Sequence, residues 1–155
     1  MPMLAALTED WPLESVTDGV HRSGQVPSLI HPKIRVLLVD DHQMLRQGLR
    51  AIVNGHPQLE VVGEAGDGLE AIEFVRALKP DVVVMDVNMP RCDGVQATKR
   101  IKEEFPEIHV VALSMHNSAD MFVRMKQAGA CGYLTKESAG GQLCKAIVEA
   151  TVCAP

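Results

Sequence analysis

The stretch Asp81-Val-Val-Val-Met-Asp86-Val-Asn-Met-Pro90 decides the fold. Its apolar run is rich in β-branched residues and too short for a helix with a core-facing stripe, so it predicts a strand buried on both faces. The strand ends in a carboxylate, Asp86, at the edge where open α/β sheets gather their chemistry. Pro90 has no N–H to give a ladder and biases Met89 away from the helical region, which stops the strand. Asp93-Gly94 then turns the chain toward the next helix.

An aspartate at such a place also serves to cap a turn or a helix. A second stretch of the same kind, Ile34-Arg-Val-Leu-Leu-Val39 followed by Asp40-Asp41, separates the two readings. Two apolar strands ending in carboxylates, joined by helical crossovers, bring three negative charges to one edge of a parallel sheet. Like charges that close raise each other's pKa and destabilise the fold unless a cation neutralises them. A hard divalent ion with oxygen ligands, Mg²⁺ first, answers that need.

Working outward, strands and helices alternate from Lys33 on. After the strand Ile34–Val39, apolar positions Met44, Leu45, Leu49, Ile52 and Val53 recur at helical spacing from His42 to Asn54, with Gly55 to end the helix. Leu59–Ala65 reads as a strand. A helix follows the Gly66-Asp67-Gly68 turn, with Leu69, Ile72, Val75 and Leu78 on one face and Lys79-Pro80 as its stop. Gly94–Glu104 reads as a helix with Val95, Thr98 and Ile101 toward the sheet, and Ile108–Leu113 as a strand. Ser118 caps a helix that runs through Ala128 to Gly129, its apolar stripe Met121, Phe122 and Met125. A short strand over Ala130–Leu134 and a helix over Gln142–Val152, with Leu143, Ile147 and Val148 inward, complete the pattern. Five such units predict one parallel sheet with helices on both faces. In the flavodoxin-like strand order 2-1-3-4-5, Asp40, Asp41 and Asp86 meet at the switch point.

A chain of 155 residues holds one domain with a real core. We expect a flexible leader over residues 1–32, where prolines and glycines break every period, and a single domain over 33–153. Within the leader, Trp11, Leu13 and Val16 offer a short docking segment as the alternative to disorder, and His21 and His31 read as solvated. A net charge of -5 without a basic stripe argues against a protein that holds nucleic acid by itself. Cys92, Cys131, Cys144 and Cys153 form neither a CxxC pair nor a zinc pattern, which points to reduced thiols in a soluble cytoplasmic protein. No apolar run approaches the ~20 residues needed to span a bilayer, so no membrane partner is expected.

Four motifs now stand in order at strand ends: Leu38-Val39-Asp40-Asp41-His42, Val84-Met85-Asp86-Val87-Asn88-Met89-Pro90 with Gly94, Val111-Ala112-Leu113-Ser114, and Gly132-Tyr133-Leu134-Thr135-Lys136. Together they resemble the response-regulator receiver domain of two-component signalling, with its CheY-like fold, over about Ile34 to Val152. Asp-Asp-His followed by Leu45-Arg46-Gln47-Gly48-Leu49 is most similar to the NarL/FixJ branch, whose output domain is of LuxR type.

The resemblance implies a phosphoacceptor, Asp86, that takes a phosphoryl group from the phosphohistidine of a sensor histidine kinase, and a domain that catalyses its own dephosphorylation. It implies Mg²⁺, with Mn²⁺ as a substitute, on the Asp41 and Asp86 carboxylates and the Asn88 main-chain carbonyl, with Asp40 acting partly through water. Lys136 would balance the phosphoryl charge and Ser114 would bond a phosphoryl oxygen, while Ser114 and Tyr133 would act as a coupled switch. Taken singly, Lys136 is also an ordinary lysine after a strand, Ser114 a turn serine, and Tyr133 a core aromatic with an exposed hydroxyl. Asn88 and His116 flank the site and would tune water's access to an acyl phosphate.

The implied output face consists of the fourth helix, fifth strand and fifth helix, which would also serve a homodimer. DNA would be met only through a C-terminal helix-turn-helix domain absent from these residues, so a fragment of a transcription factor is expected over a stand-alone receiver. Glu137 departs from the family, where proline with a cis bond commonly follows the lysine. A degenerate receiver used only for interaction or dimerisation would not need the complete Asp40, Asp41, Asp86 and Lys136 set. A Mg²⁺-dependent phosphatase would need a second acid/base carboxylate and a cap. A flavin-type binder would need a phosphate-cradling loop where Asp40-Asp41-His42 repels phosphate.

Overall fold

A computed structural model describes residues 32–153 of the chain; the expected leader, with Trp11, Leu13, Val16, His21 and His31, lies outside the described residues. The elements are β1 (Ile34–Val39), α1 (Gln43–Asn54), β2 (Leu59–Ala65), α2 (Gly68–Leu78), β3 (Val82–Asp86), α3 (Gly94–Glu104), β4 (His109–Ser114), α4 (Ala119–Ala128), β5 (Gly132–Thr135) and α5 (Ala139–Ala150). The strands form one parallel sheet in the order β2-β1-β3-β4-β5, as expected.

The alternation of side chains along each strand divides the core in two. Leu37, Val39, Val83, Met85, Val110 and Ala112 face α2, α3 and Met125 of α4, whereas Val36, Leu38, Val82, Val84, Val111 and Leu113 face Leu49 and Val53 of α1 and Leu143 and Ile147 of α5. Each such side chain stabilises the fold by roughly 1.5–3 kcal/mol when removed from water. That is why the central strands carry unbroken apolar runs.

Local chemistry sets the helix ends. Asp67 caps α2 by accepting from the N–H groups of Leu69 and Glu70, Asp93 caps α3 through Gln96 N–H, and Ser118 caps α4 through Met121 N–H. Gly129, at φ +116°, ends α4 in the left-handed region. The N–H of Ala130 is then drawn back to Met125 O at 3.0 Å, so β5 starts at Gly132 and not at Ala130. Ile108 likewise spends its N–H on Phe105 O, and β4 starts at His109.

The largest departure from expectation is α5, which begins at Ala139 and takes Gly140 and Gly141 into its first turn. Hydroxyl bonds between Thr135 and Ser138 shape the preceding turn, and Ser138 O then accepts from both Gly141 and Gln142 N–H. The apolar stripes are also narrower than their periodicity implies. Met44, Leu69 and Phe122 are exposed, because the sheet is already covered by Leu49 and Val53, by Ala71, Ile72 and Val75, and by Met125.

Candidate functional site

Register carries the acidic residues together. Val39 pairs with Met85, so the next residue on each strand, Asp40 and Asp86, emerges side by side at the C-terminal edge of the sheet. Asp40 N–H donates to Ala65 O and Val87 N–H to Leu113 O, each at 3.0 Å, so both loops leave the sheet from fixed points. Gly94 N–H returns to Val87 O at 2.9 Å, and a Cβ on Gly94 would lie 2.2 Å from Asp86 O. Only glycine allows α3 to start that close to the strand end.

On the far side, Lys136 N–H donates to Ser114 O at 2.8 Å, which brings the lysine back over the edge of the sheet. Its ammonium lies 2.9 Å from Asp40 Oδ2 and 3.2 Å from Asp86 Oδ2, with all three side chains buried. Among the described residues neither Oδ2 atom has a well-directed hydrogen-bond donor, so the ammonium meets them as a shared ion pair that leaves lone pairs free. Burial, then the charge of Asp40, raises the Asp86 pKa from 3.8 to about 6, against the opposing pull of Lys136 and the Asn88 N–H. Burial lowers the pKa of Lys136, but Asp40 and Asp86 together outweigh it and the net shift is upward. At neutral pH Asp86 is therefore a carboxylate held against the Lys136 ammonium.

Asp41 sits more openly beside this pair, and His42 adds a ring whose Nδ1 is 3.3 Å from both Asp40 Oδ1 and Asp41 Oδ1. Ligand atoms of Asp40, Asp41, His42 and Asp86 all lie within 4.8 Å of one another. Buried carboxylate oxygens without directed donors, grouped so closely, suit a hard divalent cation. Asn88 is exposed, its N–H donating to Asp86 Oδ1 at 3.2 Å, and its carbonyl belongs to the same loop.

The residues expected to switch are engaged elsewhere. Ser114 Oγ donates to His116 O at 2.8 Å, and Tyr133 OH donates to the same carbonyl at 3.4 Å while its ring meets Phe122 edge-on at 5.4 Å. Among the described residues no peptide bond is cis, and Lys136 reaches the pair with Glu137 behind it.

Reading the sequence alone missed the supports of the site. Arg46 donates to the main-chain carbonyl of Asp40 and to Glu64 Oε1 at 2.9 Å, while Arg50 holds Glu64 Oε2 at 2.7 Å. Arg91, at φ +67°, pairs with the buried Asp67, and Gly68 N–H donates to Cys92 O at 3.1 Å, which ties the loop after β3 to the start of α2. The only signal for these was an arginine near each acidic loop, because the partners are distant in sequence.

Residues 36–148 match the response regulator receiver domain family. The chain belongs to that family. Its relatives include the transcriptional regulatory protein DegU of Brevibacillus brevis, 38% identical over 115 residues that make up 74% of this chain and 49% of the relative. LiaR of Bacillus subtilis is 41% identical over 114 residues, 74% of this chain and 54% of LiaR. The chain thus spans about half the length of the curated relatives it matches.

Among solved structures, the signal receiver domain of NarL from Mycobacterium tuberculosis matches with a TM-score of 0.76 and 31% identity, covering 80% of this chain and all 100% of that domain. The response regulator domain of Thermotoga maritima CheB matches at 0.75 and 34%, covering 79% of this chain and 99% of that one. The protein therefore contains a receiver domain of a two-component response regulator, with a CheY-like fold and relatives of the NarL/LuxR type. Receiver domains of this family use Mg²⁺ at an acidic pocket and interact with sensor kinases. No helix among the described residues is long and apolar enough to cross a membrane.

Proposed function

We propose that this receiver accepts a phosphoryl group on Asp86 from the phosphohistidine of a sensor histidine kinase, and that the modification redirects the α4-β5-α5 face to control transcription. The observation that carries the proposal is the Lys136 ammonium held between Asp40 and Asp86 at the C-terminal edge of the sheet. With its pKa near 6, Asp86 is ionised at neutral pH and serves as the nucleophile. One of its oxygens bonds to phosphorus as the bond from phosphorus to the imidazole nitrogen breaks, and that electron pair returns to the ring. Such a transfer depends on positioning and charge stabilisation more than on a general base.

Asp41, Asp86 and the Asn88 carbonyl would hold Mg²⁺, or Mn²⁺ in its place, with Asp40 close by. When bound, the ion supplies positive charge that offsets the carboxylates and the transferring oxygens. Lys136 neutralises charge from the other side and moves from an ion pair with two carboxylates to one with the acyl phosphate. Ser114 reaches a phosphoryl oxygen only by releasing the His116 carbonyl, which withdraws one of the two hydroxyls holding that loop. Tyr133 then loses its loop partner and turns inward, which alters α4, β5 and α5 together.

A cytoplasmic setting, a receiver over residues 33–153 and a homodimer through α4-β5-α5 accompany this reading. Incubation with Mg²⁺ and a small acyl phosphate donor tests it by intact mass. A gain of about 80 Da, one phosphoryl group, is expected for the native chain and not for Asp86→Ala. No gain in the native chain would leave the receiver as an interaction module.

A further inference from the structure

Cys131 precedes β5 and Cys153 follows α5, yet the fold brings them together. Cys131 Sγ points at Ala150 O from 3.9 Å, and Cys153 N–H donates to that same carbonyl at 3.0 Å. Cys153 O in turn meets His109 Nε2 at 3.0 Å, and Cys131 N–H donates to Val110 O at 2.9 Å, so both main-chain segments are anchored to β4. The two cysteines thus converge on one carbonyl oxygen, and both line a surface cavity of about 360 Å³ whose walls include Phe122, Met125 and Tyr133. The other two cysteines are set apart from this pair. Cys92 is buried beside Gly68, and Cys144 directs its sulfur at Ile52 O, 3.6 Å away.

We propose that Cys131 and Cys153 form an oxidisable dithiol, which a peroxide converts to an intrachain disulfide joining the end of α5 to the start of β5. The sulfur of Cys153 attacks one peroxide oxygen; the O–O bond breaks, and the departing hydroxide takes a proton to leave as water. Cys153 is then a sulfenic acid. The sulfur of Cys131 attacks it, the S–S bond forms, and the S–O bond breaks with release of a second water. Two thiols lose two electrons and the peroxide gains them.

Burial, reinforced by Cys153, pushes the Cys131 thiol up to about 11, which disfavours its thiolate and so its attack on peroxide in the first step. The crosslink fixes one wall of the cavity that Tyr133 and Phe122 share, so it restrains the proposed output face independently of phosphoryl chemistry.

The test treats the reduced 155-residue chain with a few equivalents of hydrogen peroxide, then denatures it in an alkylating reagent. Expected are a mass loss of about 2 Da, two fewer alkylated cysteines, and a peptide linking Cys131 to Cys153 that dithiothreitol separates. Cys92→Ser and Cys144→Ser should leave the linkage intact, and Cys131→Ser or Cys153→Ser should abolish it. The oxidised chain should also melt several degrees higher than the reduced one. Oxygen adducts on the two cysteines without a linkage, a linkage to Cys92 or Cys144, or bonds only between chains would each overturn the proposal.

Discussion

Ser114 and Tyr133 direct their hydroxyls at one atom, the main-chain carbonyl oxygen of His116, from 2.8 and 3.4 Å. The loop after β4 is thus held by two residues from neighbouring strands, and the nearer bond is also the buried one. Removing the Ser114 hydroxyl should cost about 1 kcal/mol locally, the net worth of such a bond. Ser114→Ala is therefore expected to speed amide exchange at residues 115–118 roughly fivefold, with Tyr133→Phe giving a smaller change and the double variant less than the sum. Unchanged protection in Ser114→Ala would remove the proposed link between the two hydroxyls.

The raised pKa of Asp86 makes metal-free stability depend on pH. The unfolded chain releases this proton near 3.8 and the folded chain near 6, so in that window the folded state binds more protons and stability falls as pH rises. Asp86→Asn removes this penalty. In chelator, the variant should be more stable than the native protein at pH 7–8 by about 1–3 kcal/mol, with the gap closing toward pH 4. Urea unfolding across that range measures it, and a gap independent of pH would count against the burial of a charged Asp86.

Much of this architecture is legible from local sequence because its main determinant is local. The runs over residues 36–39 of β1 and 82–85 of β3 are apolar at every position, which only a strand covered on both faces requires, and each leads into the aspartate that register then aligns. The start of α5 is not legible, since Gly140-Gly141 reads as a break unless the Thr135–Ser138 turn is known to precede it. Nor are the Arg46–Glu64 and Arg91–Asp67 pairs, which join segments that periodicity treats as unrelated. Phe122 follows helical spacing but lies over Tyr133 and not under the sheet, a choice made by tertiary packing.

Two glycines should respond oppositely to alanine. At Gly94 the new Cβ meets backbone, 2.2 Å from Asp86 O and 2.8 Å from Val87 Cα, and neither can yield without moving the strand end. Gly94→Ala should cost about 1–3 kcal/mol and weaken metal binding. At Gly48 a Cβ meets nothing within 4 Å among the described residues, on an exposed helix face, so Gly48→Ala should stabilise by about 0.5–1 kcal/mol through lost freedom in the unfolded chain. Thermal melts of the two variants compare them directly; a neutral Gly94→Ala would mean that the β3–α3 junction is looser than its spacing implies.

Arg46 should govern metal affinity without touching the metal. Its guanidinium holds the Asp40 carbonyl and, through Glu64, fastens the loop after β1 to β2. Burial raises the pKa of Glu64, but bonding to Arg46 and Arg50 lowers it further than burial raises it, so the carboxylate stays charged and available as an anchor. Without Arg46 the Asp40-Asp41 turn loses its outer restraint, and supporting residues of this kind are typically worth ~10–100-fold in affinity. Arg46→Ala is expected to weaken Mg²⁺ binding about tenfold by calorimetry. Arg46→Lys should recover only part of it, because an ammonium lacks the planar fork that serves both partners at once. If Arg46→Ala lowered the melting temperature yet bound Mg²⁺ as tightly as the native chain, the arginine would support the fold alone and the acidic turn would hold its shape unaided.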